Sequence, residues 1–406
     1  MTDSEQLAPA VQLGSRERGE PGVVQVEARV VATRREGAYQ YMTFAAPGVP
    51  ELARPGQFVA LTVGGETSGL LLRRSFSIHA ASPASEEGEE DILDLVIAPH
   101  APGTEWLTTR EVGDVVDLVG PLGRPFPLPR ENVPCVLVGG GYGSVALFTL
   151  AMALRDRGCH VELVLGAATK DALFGTYKAE RYADAVTITT DDGSEGTKGW
   201  VSDVLPGVIE RCGAAVVYAC GPMAMLESVG TLATQAGAVS QLAVEEAMAC
   251  GVGVCMTCVL PVVGNDGVTR MVRSCVEGPV FRGDRLRWDA ISGGRAVVPE
   301  DAYGAPVPAV PSTPVAGAVE TDRAAQEAPS GTDLPEESQD GPPSATVPDP
   351  HGAGAPAATP AGEEAARRGG SPDDSGGDGS GRDGSATGGA TGRSGAGRSD
   401  TTKGGH

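Results

Sequence analysis

Four cysteines in the second half of the chain have types and spacing suited to electron transfer. Cys250, Cys255 and Cys258 form C-x4-C-x2-C within EEAMACGVGVCMTCVLP, and Cys275 follows after sixteen residues in RSCVEGP. This is the plant-type 2Fe–2S ferredoxin spacing. Two irons bridged by two sulfides need four thiolates, three from a tight loop and one from a distant strand. Gly251 and Gly253 let that loop curl and bring backbone N–H groups toward the sulfurs, which tunes potential. Tetrahedral zinc also suits four thiolates, but zinc sites typically pair C-x2-C with a second C-x2-C, and here the fourth thiol stands alone. Cys135, Cys159 and Cys212 stand singly beside strands or helix ends and read as small buried hydrophobes.

Three further motifs carry chemistry for a flavin and a nicotinamide. Arg74, Ser75, Phe76 and Ser77, in RRSFSI, supply a guanidinium for a flavin pyrophosphate, an aromatic to lie on the isoalloxazine and a hydroxyl toward its N5. Taken alone this motif is equally a basic, solvent-facing strand end. Downstream, PGTEWL offers Gly103 and Thr104, whose backbone N–H groups and hydroxyl suit the same phosphates ahead of a short helix. GGGYGSVAL follows a strand and opens a helix, placing Gly139, Gly140, Gly141 and Gly143 where a nucleotide-phosphate loop belongs, although the spacing is not G-x-G-x-x-G. Cys220, Gly221 and Pro222 follow the strand AAVVYA, at the strand end where a doubly wound sheet binds ligands. TDDGSEGTKG, residues 190–199, either touches the adenosine end of a dinucleotide or is a surface loop.

The elements that must position these residues can be read from periodicity. Residues 21–129 carry short alternating runs (VVQVEARVVATRRE, QFVALTV, DILDLVIA, DVVDLVG) punctuated by Gly/Pro clusters, which predicts a small antiparallel β-barrel. Residues 130–240 alternate strands (PCVLVGGG, HVELVLGAA, AVTITTDDG, AAVVYACGP) with helical stretches such as SVALFTLAMALRDRG, which predicts a doubly wound α/β domain. Residues 241–292 form a small cluster domain. Residues 1–20 read as a flexible N-terminus, and residues 300–406 as a disordered acidic tail rich in Gly, Pro and Ala, with too little apolar surface to offset its conformational entropy. The fold class is therefore α+β and multidomain.

Composition excludes some functions. The formal net charge of −22 over 406 residues repels nucleic-acid phosphates. The polar N-terminus lacks the apolar run of a signal peptide, and no stretch approaches the roughly 20 apolar residues that span a bilayer. The expectation is a cytoplasmic protein without membrane or nucleic-acid partners, in which clustered cysteines mean metal or redox chemistry.

The order Arg-x-Phe-Ser, Gly-Thr, GGGYG, CGP, then C-x4-C-x2-C…C resembles the ferredoxin–NADP reductase superfamily with a C-terminal cluster domain. Within it, EEAMACGVGVCMTCVLP…RSCVEGPVF is similar to the electron-transfer subunits of class B dihydroorotate dehydrogenase, over about residues 22–288. The resemblance implies an FAD barrel, an NAD-binding domain and a 2Fe–2S domain. It also implies a catalytic partner subunit that holds FMN and dihydroorotate, in a two-plus-two heterotetramer serving pyrimidine biosynthesis. By match, Arg74 to Ser77, Gly103 and Thr104 would hold FAD, and Cys250, Cys255, Cys258 and Cys275 would ligate the cluster. The chemistry would belong to the cofactors, with no side chain expected to act as acid or base on an organic substrate. Ser75-Phe76 replaces the Pro-Ile often found there, and Tyr142 and Ser144 stand where the family has smaller or apolar residues. A reductase subunit of another NAD(P)H-dependent complex is the alternative within oxidoreductases. A flavin-binding iron–sulfur sensor without turnover is the alternative outside them.

Overall fold

The computed structural model describes residues 22–65, 68–292 and 295–305. The expected flexible arm at residues 1–20 and the tail from residue 306 lie outside them.

Six strands close an antiparallel barrel: β1 (Val24–Glu36), β2 (Tyr39–Ala45), β3 (Phe58–Leu61), β4 (Arg74–Ser82), β5 (Ile92–Ile97) and β6 (Val115–Leu122), in the order β1-β2-β5-β4-β3-β6. Its core is Val30, Met42, Phe44, Val59, Leu61, Phe76, Ile78 and their neighbours. Two strands escape the periodicity reading. β2 is buried on both faces, Met42 and Phe44 inside the barrel and Tyr39 and Tyr41 against the second domain, so it shows no polar alternation. RRSFSI, expected between a strand and a turn, is the body of β4.

The second domain is a twisted sheet of β7 (Cys135–Gly140), β8 (Val161–Ala167), β9 (Ala185–Thr190), β10 (Thr197–Lys198), β11 (Val216–Cys220) and β12 (Val239–Ala243). These run parallel in the order β10-β9-β8-β7-β11-β12. The order reverses between β7 and β11, so a crevice opens at their C-terminal ends. Helices Leu147–Asp156, Val201–Cys212 and Met223–Gln235 cover the faces. β12 crosses the boundary expected between residues 240 and 241.

The cluster segment is built around a hairpin, β13 (Val259–Val263) with β14 (Thr269–Arg273). The chain then returns as β15 (Val280–Arg282), which pairs antiparallel with β12 and becomes the sheet's last strand. Residues 300–305, expected to begin the tail, are tied to this hairpin: Tyr303 N–H donates to the Thr269 carbonyl at 2.8 Å, and Arg287 pairs with Asp301.

An aromatic seam joins barrel to sheet. Tyr39 Oη donates to the Ala172 carbonyl at 2.7 Å, and Tyr142 Oη to the Val96 carbonyl at 2.5 Å. His79 on β4 is 4% exposed among Tyr41, Phe148 and Phe174. Its Nδ1 meets the Val145 carbonyl at 3.0 Å and its Nε2 faces Lys178 Nζ at 3.4 Å. Burial lowers the His79 pKa most, and Lys178 adds to this against the opposing Val145 carbonyl, Asp94 and Glu36. The folded state thus binds this proton less readily than the unfolded chain, so stability present above the ordinary imidazole pKa of 6.5 is lost as pH falls below it. Thermal unfolding from about pH 7 to about pH 5.5 should show a falling Tm, and His79→Gln should flatten that slope. An unchanged slope would assign the effect to other groups.

Candidate functional site

The flavin and nicotinamide motifs open on one cavity of about 1050 Å³, at the upper end of the range for ligand pockets, with Glu245 to Met248 ahead of the cysteines along its edge. It lies where the outer face of β3 and β4, the crevice of the parallel sheet and the cluster segment meet.

On the barrel side, β4 pairs with β3 so that Ser75 faces Ala60, Phe76 faces Val59 and Ser77 faces Phe58. Ser75 and Ser77 therefore share the cavity face with Phe58 and Ala60, while Phe76 points the other way. The expectation that Phe76 lies on a flavin ring is corrected: its side chain is 4% exposed and belongs to the barrel core, leaving its backbone to border the cavity. The two arginines divide their work. Arg73 is bound to Asp117 of β6 and to the Ala60 and Asp117 carbonyls, a latch across the barrel. Arg74 borders the cavity and donates to the Leu72 carbonyl at 2.7 Å. Gly103 lies beneath its guanidinium, where a Cβ would come within 2.8 Å of Arg74 Nε. Thr104 Oγ1 accepts from the His100 and Ala101 N–H groups at 3.1 Å and donates to the Ala101 carbonyl at 2.9 Å. The Thr104 hydroxyl is thus spent inside its own turn, correcting its expected use on a phosphate. What remains is the backbone N–H groups of the turn that starts the helix Pro102–Thr108.

On the sheet side the two expected loops meet at the point where strand order reverses. Gly143 lies so close to the CGP turn that a Cβ would come within 2.6 Å of Gly221 Cα, and one at Gly140 within 3.0 Å of Pro222 Cδ. Gly140, Gly141, Gly143, Cys220 and Pro222 border the cavity. Gly139 faces away, packed on Ser144 and Leu165, and serves the strand-to-loop turn. Tyr142 and Ser144, the two departures from the family loop, are used internally: Ser144 Oγ donates to the Gly141 carbonyl at 2.9 Å, and Tyr142 bridges to the barrel.

Several cavity residues left no mark in the sequence, because strand register brings them there. Phe58 and Met248 border the cavity, as do Thr189 and Trp200, which flank the 190–199 loop whose Asp191 also lies on it. Glu245 and Glu246 cross from β12 to the cluster loop. Glu245 is exposed and lines the cavity, while Glu246 beside it is half-buried. Desolvation raises both carboxyls, and Glu246 Oε1 is buried without a hydrogen-bond partner. A carboxyl biased toward its protonated form offers a bound ligand a donor as well as an acceptor.

The four cysteines converge in two pairs. Cys250 and Cys255 are hydrogen-bonding neighbours, and so are Cys258 and Cys275. Gly251 and Gly253 take φ of +70° and +81°, the curl expected of them. Cys255 is exposed at the loop tip and its pKa is held down to about 6, first by the Thr257 hydroxyl and backbone and then by Cys250, which favours the thiolate. Cys275 is pushed up to about 12, by burial and then by Cys258. Among the described residues no three His, Cys, Asp or Glu side chains gather about a single ion position. Four thiols in two neighbouring pairs would hold a two-iron cluster, which would supply one-electron transfer here. Cys258 and Cys275 pack against Phe58, Ala60 and Leu122, so the loop rests on the barrel strands that wall the cavity.

A closed barrel and a doubly wound sheet sharing one cavity, with a four-thiol loop seated on the barrel, define a flavin- and nicotinamide-dependent reductase of the ferredoxin–NADP reductase superfamily with an iron–sulfur module. The comparisons narrow this. The family model for the iron–sulfur cluster binding domain of dihydroorotate dehydrogenase B matches residues 245–287. The chain is 36% identical over 249 residues to the electron transfer subunit of dihydroorotate dehydrogenase B (NAD(+)) from Desulforamulus reducens, covering 61% of this chain and 92% of that one. It is 39% identical over 262 residues to the same-named subunit from Geobacillus thermodenitrificans, covering 63% and 94%. A solved chain of the NADH-dependent reduced ferredoxin-NADP oxidoreductase superposes with a TM-score of 0.56 at 30% identity, covering 67% of this chain and 92% of that one. The chain belongs to the family of dihydroorotate dehydrogenase B electron transfer subunits.

Proposed function

We propose that this chain carries FAD and a 2Fe–2S cluster and passes electrons from dihydroorotate, oxidised on a catalytic partner subunit, to NAD+. The observation that carries the reading is the seating of the four-thiol loop on β3 and β6, at the wall of the cavity shared by β4 and the GGGYG and CGP loops. When bound, FAD exchanges single electrons with the cluster and a two-electron hydride with NAD+. Arg74 and the backbone N–H groups of Gly103 and Thr104 hold its diphosphate, and Ser75, Ser77 and the Phe76 backbone line its ring. The glycine loop and Cys220, Gly221 and Pro222 seat the nicotinamide end. Cys250, Cys255, Cys258 and Cys275 ligate the irons. The residues 21–129, 130–240 and 241–292 correspond to these three tasks, with β12 and β15 knitting the last two.

The partner carries FMN, and two of each subunit assemble. The exposed apolar rim around Cys255, formed by Val252, Val254, Met256 and Val276, is the face the partner covers. Val254→Asp should weaken subunit association about tenfold or more, read by analytical ultracentrifugation, with the cluster spectrum unchanged. Equal affinity would move the interface elsewhere. Among the described residues no helix is long and apolar enough to cross a membrane.

The test is composition. The anaerobically purified complex should contain two irons, two sulfides and one FAD per copy of this chain, and dihydroorotate should bleach its cluster absorbance. Zinc in place of iron, or no acid-labile sulfide, would refute the reading.

A further inference from the structure

The four thiols are held by different means, and one side chain joins them. Register in the β13–β14 hairpin ends with Val259 opposite Arg273, which brings Ser274 to Cys258. Ser274 is fully buried, and its N–H at 2.9 Å and its Oγ at 2.6 Å both donate to the Cys258 carbonyl. The Cys258–Cys275 pair is therefore fixed by the hairpin itself. Cys250 and Cys255 sit on a loop that exposes Val252, Val254 and Met256 and so has little packing of its own. Arg273 reaches that loop from β14: its Nη1 donates to the Gly253 carbonyl at 3.1 Å. Its Nη2 donates to Glu277 Oε1 at 2.8 Å, and Glu277 Oε2 accepts from the Arg273 backbone N–H at 3.0 Å. The guanidinium fork is thus anchored on the turn that carries Cys275. The approach is close, because a Cβ on Gly253 would fall 2.5 Å from Val276 Cγ2 and 3.3 Å from Arg273 Nη1. Arginine keeps its charge at any working pH, and this charge is felt at Cys275 and Cys258.

We propose that Arg273 is the positioning residue of the cluster site and sets its redox poise: its guanidinium pins the Cys250–Cys255 loop to the strand that delivers Cys275 and keeps a fixed positive charge beside the thiolates, which Glu277 orients and tempers. The inference rests on the reading that these cysteines hold a two-iron cluster. A lysine would supply the charge from a single nitrogen and could not hold a carbonyl and a carboxylate at a fixed angle. A centre ligated by four thiolates is anionic, and an added electron increases that charge. A nearby cation favours the electron-rich form, and a nearby carboxylate opposes it. Loss of Arg273 and loss of Glu277 should therefore move the potential in opposite directions. A purely mechanical clamp would respond to the loss of either partner in the same way.

The test is the reduction midpoint of the cluster in the assembled complex, followed by electron paramagnetic resonance, with the rate of iron loss to a chelator as a second readout. Arg273→Gln should lower the electron affinity about tenfold, equal to about 59 mV for one electron, and should speed iron loss. Arg273→Lys should keep the midpoint and still speed iron loss. Glu277→Gln should raise the midpoint. Arg270 spends its fork on Asp266, roughly 10 Å farther along β14, so Arg270→Gln should change neither readout. An unchanged midpoint in Arg273→Gln, or a fall in both Arg273→Gln and Glu277→Gln, overturns the inference while the cluster stands. If Arg273→Gln fails to load iron, Glu277→Gln decides alone: a rise supports the inference and no rise overturns it. An intact complex without acid-labile sulfide overturns the reading of the cluster, and this inference with it.

Discussion

Cys255→Ser should abolish electron transfer from dihydroorotate to NAD+ in the assembled complex, by about a hundredfold or more, while NADH still reduces the bound flavin. The expectation follows from where Cys255 sits. It is exposed at the loop tip and supports no core, so its replacement leaves the fold intact. It pairs with Cys250, and the Thr257 hydroxyl at 3.1 Å already favours its thiolate, so the loss falls on one iron's ligand set. The nicotinamide loops stand on the sheet side of the cavity and are untouched, which keeps the hydride half of the reaction. Iron and sulfide analysis, the visible spectrum and the two half-reactions measured separately make the check. Cys212→Ser, a thiol remote from the loop, should change none of them. Loss of NADH-dependent flavin reduction in Cys255→Ser, with FAD still bound, would sink the proposed division of labour.

Gly143→Val should produce the complementary phenotype: dinucleotide binding weakened by about a hundredfold, close to 2.7 kcal/mol, with FAD and iron content retained. The cause is room rather than backbone strain, because Gly143 does not occupy the left-handed region. A β-carbon there would press within 2.6 Å of Gly221 Cα and force apart the two loops whose contact makes the crevice between β7 and β11. Overpacking of this kind costs about 1–3 kcal/mol of stability, which the shared core of the two domains can absorb. Gly207, with nothing within 4 Å of its added Cβ, is the control: Gly207→Ala should leave NADH affinity and the unfolding midpoint near their original values. Unchanged NADH affinity in Gly143→Val would show that the loop contact does not shape the nicotinamide subsite.

What could be read from sequence was chemistry held by local spacing. C-x4-C-x2-C, the strand-into-glycine run at Gly139 and the Cys-Gly-Pro turn each form a loop within a few residues, so their geometry follows from their order. Contacts set by register were illegible. Phe76 looked like a ring for a flavin because Arg-x-aromatic-Ser is a linear pattern. The face it occupies depends on β4 pairing with Val59 of β3, seventeen residues upstream across a loop, and that pairing turns it inward. Thr104 was read as a free hydroxyl because nothing in PGTEWL states that its own turn will claim it. Asp191 was visible in its loop and Thr189 in its strand, but only the alignment of β8 with β9 puts both on the cavity. That β12 spans residues 240 and 241 was hidden for a related reason: it carries no sign that its neighbour will come from beyond the cysteines.

That return strand makes the iron–sulfur segment a keystone rather than an appendage. Because β15 hydrogen-bonds to β12 while the cysteine loop leans on the barrel, removing the segment would bare a sheet edge and the Phe58–Ala60–Leu122 surface together. The cysteine segment and the two domains it touches are therefore expected to unfold together rather than one after another.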